Sequence, residues 1–199
     1  TFNVAVNDLD ENPPIITSNI VSSINEGDIS LGSVSADESV TWSISGSGVT
    51  ISSTGVVTLI SAADYETLTS YSFYITATDS TANESVTNTF NVAVNDLDEN
   101  PPVFTSPSTF TVEENQLSIG TVAATDIDSD SITYSLSGTD ASSLSIGSIS
   151  GLLVFNTAPD YETKSSYSAV VSASDGTNST DQSIVINIID ANDSAPVFT

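Results

Sequence analysis

TFNVAVNDLDENPPVFT, residues 89–105, decides the reading, because TFNVAVNDLDENPPIIT already stands at residues 1–17. The two segments differ only at their fifteenth and sixteenth letters and lie 89 − 1 = 88 residues apart. A looser third copy, DANDSAPVF at 190–198, follows DLDENPPVF at 96–104 after 190 − 96 = 94 residues. A period of this length exceeds that of a solenoid unit, so each period is expected to be an independent domain. Further landmarks recur in step: Asp64-Tyr65-Glu66-Thr67 returns as Asp160-Tyr161-Glu162-Thr163, and Ala77-Thr78-Asp79 as Ala173-Ser174-Asp175. The expected division is 1–12 as the closing strand and linker of a preceding repeat, 13–100 as repeat 1 with its linker, and 101–199 as repeat 2 with the start of the next linker. A chain that opens on a closing strand and ends on an opening linker is expected to be a piece of a longer, many-copy array.

Within each period, short runs alternate apolar with polar residues and favour β-branched or aromatic side chains. Examples are Tyr71-Ser72-Phe73-Tyr74-Ile75-Thr76-Ala77 and Ile184-Val185-Ile186-Asn187-Ile188. This is the pattern of half-buried strands, and Gly, Ser, Asn and Asp clusters punctuate it at sandwich-like intervals. No stretch sustains a 3.6-residue apolar period with helix caps. All-β sandwiches follow. Trp42 and Tyr134 occupy equivalent places in the two repeats. A core role is favoured for both over a sugar-stacking platform.

The chain carries 26 Asp and Glu against a single basic residue, Lys164, for a formal net charge of −25. Such a polyanion lacks the Lys and Arg that phosphate contacts require, so nucleic-acid binding is excluded and anionic membranes should repel it. The apolar share of 38% is enough for packed cores rather than disorder. With no Cys, neither disulfides nor thiolate metal sites exist. No apolar run reaches membrane-spanning length and no secretory leader pattern stands at the start, so a soluble excised piece is expected, without direct membrane insertion. Catalysis is not expected: the chain has no His, Cys or Arg, and one Lys.

The chemistry concentrates in Asp96-Leu97-Asp98-Glu99-Asn100, a run of oxygen donors closed by Pro101-Pro102. The prolines end the strand and stiffen the linker. Calcium takes six to eight oxygen ligands at roughly 2.3–2.6 Å and suits such a linker better than magnesium, which keeps its waters. Composition alone, however, favours a merely solvated acidic linker.

Several motifs in order carry a resemblance to the cadherin family. Its linker signature DxNDNxPxF is matched from Asp96 to Phe104 with two conservative substitutions, and its VxEN element by Val112-Glu113-Glu114-Asn115 and, weakly, Ile24-Asn25-Glu26-Gly27. Its DRE element resembles Asp64-Tyr65-Glu66 and Asp160-Tyr161-Glu162, with Tyr replacing Arg. Asp126-Ile127-Asp128 is similar to its DxD, and Ala77-Thr78-Asp79 and Ala173-Ser174-Asp175 to its AxD. The resemblance implies two tandem seven-stranded Greek-key, immunoglobulin-like β-sandwiches with calcium at the linker between them. It implies ligands Glu26, Asp64, Glu66, Asp96, Asp98, Glu99, Asp126, Asp128 and Asp175, with the main-chain oxygens of Leu97 and Asn100.

The outer linkers would make weaker, partial sites: Asp10, Asn12, Asp37 and Asp79 at one end, and Glu114, Asp160, Glu162, Asn192 and Asp193 at the other. Ser35-Ala36-Asp37 stands where the second repeat has a DxD, and Asp130 lies off motif. The implied function is an extracellular, cell-surface or secreted adhesion and spacer module that calcium makes rigid. Its expected partners are neighbouring repeats, and self, another surface protein or a polysaccharide. The alternative is a calcium-dependent carbohydrate-binding module using exposed aromatics such as Trp42 and Tyr74. Strand swapping through an N-terminal Trp is not available, because none lies near Thr1. The Ser, Thr, Asn and Ala richness suggests a large bacterial adhesin as the source.

Overall fold

Residues 12–79, 84–129 and 131–192 are described by the structure, a computed structural model. They divide between Leu97 and Asp98 into two units. Among them no helix is long and apolar enough to cross a membrane. The one helical turn among the described residues is Ala141–Ser143.

The first unit runs through β1 (Ile16–Ser18), β2 (Ser23–Asn25), β3 (Ser30–Ala36), β4 (Val40–Ser45), β5 (Val49–Ile51), β6 (Val56–Leu59), β7 (Ser70–Asp79) and β8 (Ser85–Asn95). These form two four-stranded sheets, β1-β3-β6-β5 and β2-β8-β7-β4. Alternation decides which face is buried: Tyr71, Phe73, Ile75 and Ala77 of β7 point inward, while Ser70, Ser72 and Tyr74 point out. Phe73 stacks on Phe90 of β8 with ring centroids 5.7 Å apart, in a core that includes Leu31, Val57 and Val92. Each such fully buried large side chain contributes roughly 1.5–3 kcal/mol. The first strand is broken in two: β1 pairs antiparallel with β3 in one sheet, and β2 pairs parallel with β8 in the other. One strand therefore closes both edges of the sandwich, which leaves fewer unpaired edge groups.

The second unit repeats this plan with β9 (Val103–Phe104), β10 (Thr109–Glu113), β11 (Ser118–Thr121), β12 (Ala124–Thr125), β13 (Thr133–Ser137), β14 (Leu144–Ile146), β15 (Leu152–Phe155), β16 (Ser166–Ser174) and β17 (Ser179–Ile189). One sheet is β10-β17-β16-β13, again with a parallel pair, β10 on β17. Opposite it lie β11-β15-β14 and the short β12-β9 ladder. Seven strands per unit are obtained when the interrupted strands are counted once. Pro102 is fully buried and Phe104 packs against the core, so the linker's end is an anchor as well as a stiffener.

Trp42 and Tyr134 both face inward, opposite Ala77 and Ala173 on the neighbouring strand, and pack against their cores. The Tyr134 hydroxyl accepts a hydrogen bond from Ala124 N at 2.8 Å, covering the break between β11 and β12. Each aromatic lies over a left-handed glycine, Gly55 (φ 81°) or Gly151 (φ 63°), where an added Cβ would collide with the carbonyl oxygen of Val34 or Val122. Those carbonyls sit there because Val34 N and Val122 N donate to Gly55 O and Gly151 O, both at 2.9 Å.

Lys164, the chain's one basic side chain, pairs with Asp140 and lies 4.6 Å from the centre of the Tyr167 ring. The Lys164 hydrogen bond, and then Ser168 N–H, hold the Asp140 carboxyl below its usual 3.8. Partly exposed, the pair contributes only about 0.2–1 kcal/mol. Because the folded-state value is the lower one, this contribution is present above the ordinary carboxylate pKa and lost as pH falls through the folded value.

Two outcomes are expected. Gly151→Ala should lower stability by at least 1–3 kcal/mol, roughly the cost of forced backbone strain, with denaturant midpoints as the readout; an unchanged midpoint would mean that the turn relaxes freely. Lys164→Met should raise the Asp140 titration midpoint toward 3.8 in a carboxyl NMR titration, whereas an unmoved midpoint would show the pair to be inactive in solution.

Candidate metal centres

Among the described residues, each unit buries one glutamate without burying a cation beside it. Glu26 follows β2 and is 8% exposed; Glu114 follows β10 and is 2% exposed. The next residue must turn left-handed, and it is Gly27 (φ 81°) or Asn115 (φ 63°), the residue types that tolerate that conformation. This turn lets Gly27 N reach Ala63 O at 2.9 Å and Asn115 N reach Pro159 O at 3.0 Å. Glu26 Oε2 then accepts Tyr65 N at 3.1 Å, and its Oε1 accepts Leu97 N. Glu114 does the same with Tyr161 N and Ala191 N, both at 2.8 Å. Backbone N–H groups bonding to a carboxylate offset part of the cost of burying it.

The Asp-Tyr-Glu-Thr turn is built by its own first residue. Asp64 accepts Thr67 N at 3.0 Å and Thr67 Oγ1 at 2.9 Å; Asp160 accepts Thr163 Oγ1 at 2.6 Å and Glu162 N at 3.2 Å. The Thr163 hydroxyl is the main cause of a lowered Asp160 pKa, and further bonds from Glu162 and Thr163 outweigh the opposing effect of desolvation. The turn presents the glutamate two residues on, and so two triads form. Glu26, Glu66 and Asp96 each offer an oxygen within 4.8 Å of the others, as do Glu114, Glu162 and Asp190.

Oxygens bound to one calcium at 2.3–2.6 Å lie no more than about 5 Å apart, so these triads have the spacing of a shared divalent ion. Asp64 and Asp160 adjoin the triads but belong to neither. In the second triad Glu162 carries the strain of like charge. Its own backbone N–H is the largest single influence and lowers its pKa, but desolvation, Glu114, Asp160 and Asp190 together raise it.

A different cluster stands where the second unit begins. Asn100 N donates to Asp128 Oδ2 at 2.9 Å and its amide to Asp128 Oδ1 and Glu99 Oε1, both at 3.2 Å. Asp128 N donates to Asp126 Oδ1 at 2.9 Å. Asp175, after β16, uses Oδ1 to accept Thr177 N at 2.7 Å, while its Oδ2 is buried with no hydrogen-bond partner among the described residues. The Asn178 amide donates to Asp98 Oδ1 at 3.1 Å and to Asp98 O at 3.3 Å. A buried, unsatisfied carboxylate oxygen amid other carboxylates is a feature that a cation would satisfy.

The corresponding end of the first unit is sparser. Asp37 Oδ1 accepts Ile15 N at 2.8 Å, Asp79 is 4% exposed and Asn12 is exposed. Asp10, Asp130 and Asp193 lie outside the described residues. Asn192, which is exposed, donates its N–H to Asp190 Oδ1 at 2.7 Å. Two residues of these clusters were not among the sequence-predicted ligands. Asp190 stands 94 residues after Asp96 and could have been found by completing that alignment. Asn178 matches none of the recurring motifs, and only the folded turn brings it to Asp98.

The Cadherin domain family model matches residues 108–189, which lie within the second unit. The chain is 32% identical over 229 aligned residues to Protocadherin Fat 1 of Homo sapiens, across all of this chain. It is 38% identical over 159 residues, 73% of its length, to human Cadherin EGF LAG seven-pass G-type receptor 2. It spans only 5% of either relative's length. Among solved structures, mouse Cadherin-23 EC22-24 superposes with TM-score 0.77 at 24% identity, covering 92% of this chain and 68% of that one. The Protocadherin gammaB7 EC3-6 cis-dimer structure gives 0.75 at 26%, covering 94% and 53%. These relatives are animal proteins and give no support to a bacterial source.

Glu114→Gln should lower the unfolding temperature in the presence of chelator. One backbone N–H loses its acceptor oxygen to an NH2 group that can only donate, a loss of about 1–3 kcal/mol. Thermal unfolding of wild type and variant in chelator checks this, and equal temperatures would remove the glutamate's structural role.

Proposed function

We propose that this chain is a calcium-binding spacer and adhesion module of an extracellular repeat array, made rigid by calcium at its linkers. The observation that carries the reading is convergence of carboxylates without a basic neighbour: two triads with calcium-compatible spacing, in a chain whose one lysine is engaged by Asp140. The donors are all oxygen, from carboxylate, amide and main chain, which suits calcium and not a thiophilic metal.

In this reading Glu26, Asp64, Glu66, Asp96 and Leu97 of the first unit contribute ligands. Asp98, Glu99, Asn100, Asp126, Asp128 and Asp175 of the second contribute the others. The linker Asp96–Asn100 is continuous with both sets, so ions held by both would limit bending there and turn a jointed chain into a stiff rod. Glu114, Asp160, Glu162, Asp190, Asn192 and Asp193 would open a further site toward a following repeat. Asp10, Asn12, Asp37 and Asp79 would close one from a preceding repeat. Extracellular modules bind calcium with dissociation constants of roughly 10⁻⁴–10⁻³ M, so filling requires a calcium-rich exterior. Adhesion would occur elsewhere on such a rod, to another copy or to a different surface protein.

The carbohydrate reading is not supported. Trp42 packs against the core, and Tyr74, half-exposed, stands among Ser and Thr with no second ring beside it on the outward positions of β7 and β8. No catalytic role is assigned to the acidic clusters.

Calcium titration by calorimetry should show binding that Asp98→Ala weakens, and chelator should lower the unfolding temperature. At a hundred times the dissociation constant each filled site adds about 2.7 kcal/mol, so the thermal shift is readily measured. A chain that neither binds calcium nor responds to chelator would leave its acids as solubilising charge alone.

A further inference from the structure

Asn178 sits in the tight turn Gly176-Thr177-Asn178 between β16 and β17, and three parts of it act on two aspartates at once. Its N–H donates to Asp175 Oδ1, alongside Thr177 N. Its carbonyl accepts Asp175 N at 3.3 Å and Ser174 Oγ at 3.0 Å, which closes the turn. Its side-chain amide crosses to the linker and holds Asp98 by both the carboxylate and the main-chain oxygen. We infer that Asn178 is a positioning residue, which sets Asp98 and Asp175 in place before a cation arrives. The inference rests on the proposed calcium binding.

The physical case is that two carboxylates in one cluster repel, and without a cation they are expected to move apart. A neutral amide that donates to Asp98, on a backbone that donates to Asp175, holds both without adding charge. Asp175 is thereby turned so that Oδ1 is occupied by the turn and Oδ2 is left buried and unpaired among the described residues. Binding then costs less ordering, which is the general advantage of preorganised ligands. The first unit provides a natural contrast. There the equivalent backbone bond, Asp79 N to the carbonyl 2.8 Å away, is made to Glu84. A glutamate side chain cannot donate as Asn178 does, and one more negative charge stands at the turn.

The test compares the whole chain, made without glycosylation, with Asn178→Ala and Asn178→Asp by calcium calorimetry and by thermal unfolding in chelator. Both variants should bind calcium on the order of 10-fold more weakly, as outer-sphere partners of metal ligands do. Both should unfold in chelator at the wild-type temperature, and amide exchange at Asp98 should be faster in the variants without calcium. Tighter binding by Asn178→Asp would make the residue a ligand and overturn the positioning role. Unchanged affinity in Asn178→Ala, or a matching loss of stability in chelator, would also overturn it. Failure of the wild type itself to bind calcium would instead refute the underlying metal reading.

Discussion

The buried glutamate that follows the second strand segment of each unit is the contact on which the rest of the site depends. Glu26 and Glu114 each accept one backbone N–H from the Asp-Tyr-Glu turn and one from the chain leaving the last strand, at Leu97 or Ala191. One charge thus ties together three segments distant in sequence and aims the outgoing linker. The same carboxylate remains within 4.8 Å of two others, so the group that organises the end of the sandwich also belongs to the candidate metal centre. In each unit a single side chain would thus couple the stability of the fold to the proposed cation site.

Charge explains why the two functions coincide. A chain of net charge −25 with one lysine has almost no internal means of neutralising its acids, and it uses the two that remain. Backbone N–H groups satisfy the glutamates and the turn aspartates, and the lone lysine serves Asp140, in the second unit. What is left over is repulsion: at Glu162 desolvation first, and then Glu114, Asp160 and Asp190, raise the pKa against the lowering effect of its own backbone N–H. A cation bound there would relieve it, and such relief would be the energetic basis of the proposed stiffening by calcium.

The two units are not equivalent despite their duplicated segments. The second has the paired aspartates Asp126 and Asp128, with Asn100 hydrogen-bonded across to Asp128 and Asn178 to Asp98. The first has Asp37 alone, occupied by Ile15 N. The two units therefore share their core plan and exit turn and differ where the second has its paired aspartates. The core tolerates little change in volume, whereas the exposed loops bear no such constraint.

Much of this was legible in the chain itself. The 88-residue echo of TFNVAVNDLDEN, the alternation through Phe73 and Ile75, and the lack of any helical period determined a tandem all-β plan, because strand periodicity and burial are local properties. The acids of the candidate metal clusters, Asp190 apart, were also legible, since short motifs carry them. Their sorting was not: whether Asp64 points at a metal or at Thr67, whether Asp175 leaves an oxygen unpaired, and whether Asn178 touches Asp98 depend on segments up to 80 residues apart meeting in space. Composition determined that this protein must manage negative charge. Only the tertiary structure decided which carboxylates the backbone satisfies and which are left to converge, because hydrogen-bond partners are assigned by folding and not by sequence distance.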